Sequence, residues 1–326
     1  MEEHMIIDAH SHLWLRQDTA WNGKAIRTNK PAAAGEPYTV ENNGSRSQFW
    51  GEERQMLPPF MIDGRNSAEV FLSNMDYAQV GAAVVVQEFI DGLQNDYLAE
   101  VSQRYPDRFR VCGMVDYLHD GFLEQASTLI TNQRFHGIAI PGHRLLGRRL
   151  TDPEMMRMFH LLEDNGKFLS ITLKDGDEQV GELQEVISEC PHLRIAVGHM
   201  GMAEPPQIAP WKNESWHRQM LLARNENVRI ESGGITWLYN SEFYPFPSAI
   251  RAIKEAAELV GMEKLMWGSD YPRTITAITY RMSYDFVTKS TELTDHEKQL
   301  FLGENACQFY GFDHLPELPY IKNMSE

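Results

Sequence analysis

The chain has 326 residues, 42% of them hydrophobic and 23% charged, a composition typical of an ordinary globular protein with a sizeable core. Its formal net charge of −16 repels phosphate backbones and anionic lipids, so nucleic acid and membrane are poor partners. The 3 cysteines are far apart, which fits a reducing compartment. The acidic N-terminus does not resemble a secretory signal, and no apolar run approaches the ~18 residues of a membrane span. We therefore expect a cytoplasmic protein.

Short apolar runs alternate with longer segments of helical pattern along most of the chain. The runs show little polar alternation, as expected for parallel strands covered on both faces. Helical patterns fill the intervals, for example at 152–165 and 247–260. This alternation predicts an α/β protein with a (β/α)8 TIM barrel, and a doubly wound open sheet is the alternative. The eight predicted strands are Met5–His10, Ala82–Phe89, Phe109–Asp116, Gly137–Pro141, Phe168–Leu173, Leu193–Gly198, Val228–Ser232 and Lys264–Gly268.

A long segment after the first strand, residues 14–65, interrupts the alternation. It is rich in glycine, proline, asparagine and charge, and it contains Trp21, Tyr38, Phe49 and Trp50. Loops of this length are functional or disordered, and disordered segments have few aromatic residues. We expect a flap over one end of the barrel, with an oligomer contact as the alternative. The domain prediction is a single barrel over residues 1–326 with the insertion inside it, compatible with a homo-oligomer.

Polar residues cluster directly after several of the predicted strands. In a barrel these positions share the rim at the carboxyl ends of the strands, where active sites lie. Residues that are distant in sequence are thereby brought together. The clusters are His10-Ser-His12, Pro141-Gly-His143-Arg144, Lys174-Asp-Gly, Gly198-His199-Met-Gly201 and Gly268-Ser-Asp270-Tyr271-Pro272.

Four of these residues are candidates for the chemistry itself. His10 and His12 lie two residues apart at a strand end, so both imidazoles can bind one divalent ion. His199 follows a buried strand between glycines, and we interpret it as a metal ligand or as a polariser of a substrate carbonyl. Asp270 ends the last strand, which pairs with the first in a closed barrel. A carboxylate beside histidines stays ionised and can act as a general base, although an N-cap role is the alternative.

Further residues at the rim are candidates for substrate binding. Arginine suits bidentate recognition of carboxylates, and aromatic rings can stack on a sugar ring. Each of these residues could equally be a surface or packing group. The candidates are Arg144, His143, Lys174, Arg273, Tyr271 and Trp237, with Glu231 as an additional buried carboxylate.

The three motifs around the four central residues resemble the amidohydrolase superfamily, specifically its amidohydrolase-related family. The resemblance covers nearly the whole chain outside the insertion. Finer features are similar to the branch that contains sugar lactonases and 2-pyrone-4,6-dicarboxylate lactonase. These features are Pro205-Pro206 after the His199 motif, then Trp216, Asn227-Val, Ser232-Gly233 and the closing segment Phe301-Leu-Gly-Glu-Asn305 to Tyr310-Gly311.

The resemblance implies a rim site for hydrolysis or decarboxylation. This site would hold one divalent metal ion, with zinc as the first candidate, or no metal ion. The metal ligands would be His10, His12, His199 and Asp270. Lys174 takes a position at which some branches use a ligand that completes a metal site, but the fuller histidine set of a two-metal site is not found. We therefore interpret Lys174 as a cation for a substrate carboxylate or hydroxyl.

The reaction favoured by this pattern is hydrolysis of a sugar-acid lactone or a related carboxylated lactone, with Asp270 activating water and His199 assisting. Ring opening by water needs no organic cofactor. The alternative is a metal-dependent non-oxidative decarboxylase, which uses the same motifs. A non-catalytic barrel that binds a sugar acid or a protein is a third reading, against which the intact set of four residues argues.

Overall fold

The structure is a computed structural model that describes residues 5–15, 20–21, 24–25, 39–40, 46–49, 52–173, 177–201 and 214–325. These residues form one sheet of eight parallel strands whose spatial order follows the chain. All eight predicted strands are present, most of them shorter than predicted. They are β1 Ile7–Ser11, β2 Ala82–Val85, β3 Phe109–Gly113, β4 Gly137–Pro141, β5 Phe168–Thr172, β6 Arg194–Val197, β7 Val228–Glu231 and β8 Leu265–Met266.

The sheet closes on itself between its last and first strands. The backbone N–H of Ala9 donates to the carbonyl of Trp267 at 2.9 Å, and that of Asp270 donates to the carbonyl of His10 at 2.9 Å. A parallel bridge between Ser11 and Tyr271 continues the contact. These bonds make the sheet a barrel, which confirms the (β/α)8 prediction over the doubly wound alternative.

Helices cover the outside of the barrel and follow nearly every strand. The predicted helix at 247–260 has those bounds, and the one predicted at 152–165 is one residue shorter at each end. The helices are α1 Ala68–Tyr77, α2 Asn95–Arg104, α3 Phe122–Thr131, α4 Pro153–Asp164, α5 Glu178–Glu189, α6 Glu214–Leu221, α7 Ile235–Leu238, α8 Pro247–Val260, α9 Met282–Thr288, α10 Asp295–Gln299 and α11 Asn305–Tyr310.

Apolar side chains form two buried layers. The larger lies between the strands and the helices. The smaller combines short strand side chains such as Ala82 and Ala139 with Phe309 and Tyr310 of α11 and the following Phe312. Apolar side chains fill these layers, and the polar side chains that follow the strands lie together at the carboxyl ends of the strands, as expected for this fold.

The insertion contributes strands outside the barrel sheet. Ala20–Trp21 pairs with Lys24–Ala25, and Thr39–Val40, Arg46–Phe49 and Glu52–Gln55 form a three-stranded antiparallel sheet. Much of the predicted flap, including Tyr38 and Trp50, lies outside the described residues. Within the described part of the chain, no helix has the length and apolar character needed to cross a membrane.

Candidate active site

A buried carboxylate fixes the imidazole of His10 at the end of β1. The Nδ1–H of His10 donates to Oε1 of Glu231 at 2.7 Å, and the same oxygen accepts the backbone N–H of His199 at 3.1 Å. A Cβ added at Gly233 would come within 2.8 Å of the His10 ring, and one at Gly268 within 2.7 Å of its Cβ. Two glycines therefore leave the space for this imidazole, and the carboxylate orients Nε2 as the ring atom that faces His12.

His10, His12 and Asp270 bring three donor atoms to one point. Nε2 of His10 lies 3.2 Å from Nε2 of His12, which lies 3.0 Å from Oδ1 of Asp270. The third side of this triangle, from His10 Nε2 to Asp270 Oδ1, measures 3.7 Å. All three side chains are buried. The predicted convergence of the first and last strands therefore brings these residues together.

The donor triangle has the dimensions of a metal site. In a tetrahedral zinc site with bonds of ~2.0–2.1 Å, neighbouring ligand atoms lie roughly 3.3–3.4 Å apart, close to the three observed separations. The Glu231 carboxylate behind His10 is the type of partner that orients a metal-binding imidazole. The residues therefore fit a divalent ion.

Asp270 is held in an unusual conformation. Its φ of 58° lies in the left-handed region, which non-glycine residues adopt rarely and often at functional sites. Its Oδ2 accepts the indole N–H of Trp237 at 2.7 Å. Trp237 in turn requires glycine at 234, because a Cβ there would lie 1.8 Å from the indole nitrogen and the φ of Gly234 is +68°.

His199 shares the cavity with His10 and has a defined tautomer when neutral. Its Nδ1–H donates to the carbonyl of Gly233 at 2.7 Å, which leaves Nε2 as an acceptor. The ring centre lies 4.5 Å from that of His10. The φ of 57° at His199 is a second left-handed conformation in the site. Nε2 is therefore suited to hold a metal ion or to accept a proton.

Burial and charge set the ionisation of the site. Burial disfavours a charge on Asp270, but the hydrogen bond from His12 and the positive charges nearby hold its pKa well below the usual range. Burial and the Arg273 guanidinium lower the pKa of His12. At neutral pH Asp270 is therefore a carboxylate and His12 a neutral imidazole.

The Glu231 carboxylate has the opposite effect on the pKa of His10. Burial alone would lower the pKa of His10, but the charge and hydrogen bond of Glu231 outweigh it and raise the pKa. Burial and the neighbouring His10 lower the pKa of His199. His10 and His199 thus differ in basicity because the ring of His10 is hydrogen-bonded to the Glu231 carboxylate, whereas the ring of His199 is hydrogen-bonded to the backbone carbonyl of Gly233.

Above these residues lies a cavity of about 180 Å³. On one side of it Arg144 and His143 meet Glu88, with Nε of the arginine 3.4 Å from one carboxylate oxygen and Nε2 of the histidine 3.4 Å from the other. Burial opposes ionisation of Glu88, but Arg144 and His143 outweigh it and lower its pKa. This side of the cavity therefore offers both donors and acceptors.

Arg273, in the segment after β8, also lines the cavity. Its Nη2 donates to both oxygens of Asp91 at 2.7 and 2.8 Å. Asp91 is buried and also lies 3.7 Å from Nδ1 of His12. Arg273 thus belongs to a network that reaches the donor triangle, in addition to its place on the cavity wall.

The structure does not bring every predicted residue to the cavity. The ring of Tyr271 is fully buried and stacks on Phe71 with a centroid separation of 4.1 Å. It packs in the core and is not among the residues that line the cavity, which corrects the stacking role expected for it. Lys174 lies outside the described residues, so its role stays a prediction.

A family model described as Amidohydrolase matches residues 7–312. The chain belongs to the amidohydrolase family. This confirms the resemblance carried by the motifs of His10, His199 and Asp270, and the matched region includes all the site residues described above.

The named proteins that this chain resembles include a lactonase, a hydrolase and a decarboxylase, so both of the predicted reactions are represented. The chain is 24% identical to the L-fucono-1,5-lactonase of Burkholderia ambifaria over 94% of this chain and 96% of the relative. A probable 2-pyrone-4,6-dicarboxylic acid hydrolase from Acinetobacter baumannii, with citric acid bound, shares the fold with a TM-score of 0.67 and 18% identity, covering 94% of this chain and 99% of that one. A manganese-bound 5-carboxyvanillate decarboxylase from Novosphingobium aromaticivorans shares the fold with a TM-score of 0.54 and 20% identity, covering 75% of this chain and 80% of that one.

Sequence reasoning missed part of the site. Glu88 and Asp91 follow β2, but the predicted strand extended to Phe89 and hid Glu88, and Asp91 beyond it was not recognised. The strand ends at Val85, so the polar Gln87-Glu88 pair is a rim cluster like the others. Thr172 at the end of β5 also lines the cavity, and a single threonine in an apolar strand gave no signal.

Proposed function

We propose that this protein hydrolyses the lactone of a sugar acid, with Asp270 as the general base. The observation that carries the proposal is the position of the buried Asp270 carboxylate, which lines a small cavity together with His10, His12 and His199 and is oriented by the indole of Trp237. The near full-length similarity to an L-fucono-1,5-lactonase supports the lactone as substrate class.

In the proposed reaction the carboxylate of Asp270 takes a proton from water, and the resulting hydroxide attacks the lactone carbonyl. Asp270 then returns the proton to the ring oxygen as the C–O bond breaks, which yields a hydroxy acid. His199 accepts a hydrogen bond at Nε2 from the attacking water and orients it. A divalent ion held by His10, His12 and Asp270, with His199 beside it, would take the place of the hydrogen bond between His12 and Asp270 and would supply positive charge to the carbonyl oxygen.

The charges of the cavity favour a neutral polyhydroxy ring over a dicarboxylate. Among the described residues, the arginines that line it, Arg144 and Arg273, are paired with the carboxylates of Glu88 and Asp91. Such pairs present donors beside acceptors, which suits hydroxyl groups that both donate and accept. The volume of about 180 Å³ is below the usual ligand-pocket range of roughly 300–1,000 Å³ and suits a single small ring.

Decarboxylation is the second candidate, because the donor triangle fits a divalent ion and a manganese-bound decarboxylase shares the fold. The two reactions differ in their products. Opening a lactone at neutral pH releases one proton per turnover as the new carboxylic acid ionises, whereas decarboxylation releases carbon dioxide.

The deciding experiment screens five- and six-membered aldonolactones with a pH indicator and aromatic carboxylic acids for carbon dioxide. Spontaneous hydrolysis in buffer is subtracted, and Asp270→Asn, which the proposal expects to be inactive, gives the second background. We expect acid release from at least one aldonolactone above both backgrounds. Carbon dioxide from an aromatic acid without lactone turnover would replace this proposal with the decarboxylase.

A further inference from the structure

A second group of metal-ligating side chains lies outside the barrel, between α4 and α5. His160 and Glu163 are three residues apart on α4, so they share one face of that helix. Cys190 directly follows α5. Its Sγ lies 3.4 Å from Nδ1 of His160. The adjoining ends of α4 and α5 therefore contribute to one cluster, which is exposed at His160 and buried at Cys190.

The three side chains have the donor types and spacing of a zinc site. One ligand atom from each lies within 4.8 Å of the other two. With Zn–S of ~2.3 Å and Zn–N of ~2.0–2.1 Å, tetrahedral geometry places sulfur and nitrogen roughly 3.5–3.6 Å apart. The observed separation of 3.4 Å is close to this value. Thiolate and imidazole together select zinc-class ions over magnesium or calcium.

The surroundings hold the cluster in place and attract a cation. Oε1 of Glu163 accepts the backbone N–H of His192 at 2.6 Å, which restrains that carboxylate. The carboxylates of Glu163, Glu189 and Asp164 place negative charge around the Cys190 thiol. The same negative charges favour a bound cation.

A path from solvent reaches the cluster. Cys190 is buried, but His160 is exposed and lines a groove with Ser188 and Glu189 beside it. The groove has a volume of about 400 Å³. An ion can therefore approach from the His160 side and keep its fourth position for water.

We propose that His160, Glu163 and Cys190 form a zinc-class metal site that links the C-terminal ends of α4 and α5. Binding replaces the Sγ–H of Cys190 by a sulfur–metal bond, and the proton passes to solvent. Binding therefore tightens as the pH rises. The site is separate from the cavity at the barrel rim and does not depend on the proposed lactone hydrolysis.

The test is titration of the full-length protein with Co²⁺, read by the sulfur-to-cobalt charge-transfer band in the near ultraviolet. The donor triangle of His10, His12 and Asp270 contains only nitrogen and oxygen, so it cannot produce this band. We expect the band in the wild type at pH 8, and Zn²⁺ should displace the cobalt and abolish it.

Three variants complete the design. Cys190→Ser should lose the band, and His160→Gln, at an exposed position, should weaken Co²⁺ binding by about tenfold or more. Cys307→Ser is the matched control, since its thiol donates to the carbonyl of Phe312, and it should keep the band. Absence of a band in the folded wild type, its persistence in folded Cys190→Ser, or unchanged affinity in His160→Gln would overturn the proposal.

Discussion

The indole N–H of Trp237 donates to Oδ2 of Asp270 at 2.7 Å, so the ring expected to stack on substrate also holds the proposed general base. The other oxygen, Oδ1, accepts from His12. The carboxylate is thus fixed from two sides, by β1 and by the short helix α7.

Replacing Trp237 with Phe tests this positioning role. A hydrogen bond to a charged group contributes about 1.5–3 kcal/mol, so we expect kcat to fall by roughly 10- to 100-fold with KM nearly unchanged. Steady-state kinetics on an active aldonolactone measures both. A large rise in KM at unchanged kcat would assign Trp237 to substrate stacking instead.

Glu231→Gln tests the carboxylate behind His10. Gln keeps the shape but removes the charge that orients Nε2, and we expect a 10- to 100-fold loss of activity, about the effect of losing such a partner at a metal-binding histidine. Glu182→Gln is the matched control. Glu182 is another buried carboxylate, which accepts from Arg149 and the backbone of Leu150, and its variant should keep the kcat per folded molecule. Equal losses in both variants would point to a general effect of buried charge.

Metal content tests the donor triangle. In a Cys190→Ser background, which removes the sulfur of the second cluster, we expect one divalent ion per chain by elemental analysis. His12→Gln should lose that ion, since it removes one of three converging donors. Wild-type activity in the fully metal-free protein would show that the reaction does not need the ion and that the residues act without it.

The acid stability of the fold is expected to depend on His136, which lies far from the site. Burial and the charge of Arg110 lower its pKa to about 4, and its Nδ1 accepts the backbone N–H of Val111. The unfolded chain binds this proton near pH 6.5, so the free energy of unfolding should fall as the pH drops from about 6.5 to about 4, by up to roughly 1.4 kcal/mol per pH unit.

His136→Asn keeps an acceptor for Val111 but cannot titrate. Denaturant unfolding at pH 7 and pH 5 should show a smaller loss of stability in this variant than in the wild type. His296→Asn, on an exposed residue of α10, is the control and should behave as the wild type does. The same loss in all three proteins would show that other groups control acid unfolding.

The barrel and the convergence of His10, His12, His199 and Asp270 could be predicted because each depends on local pattern. Apolar runs mark buried strands, and the polar residues that follow them must meet at the rim. The closure of β8 on β1 then places Asp270 beside His10 and His12, as the sequence analysis expected.

The partners of those residues could not be predicted with the same certainty. The pairing of Arg273 with Asp91 joins positions 182 residues apart, and no local pattern specifies it. Tyr271 and Trp237 were both read as rim aromatics, yet one packs on Phe71 and the other holds Asp270. A ring near a strand end has several directions available, and no local sequence pattern specifies which of them is used.

The most direct test of the proposed chemistry is the turnover of Asp270→Asn on the best aldonolactone, with binding of the product hydroxy acid measured in parallel. Asn accepts the same hydrogen bond from Trp237 but cannot take a proton from water. We predict loss of turnover to the background rate with product affinity retained. Turnover close to that of the wild type would contradict the assignment of Asp270 as the general base.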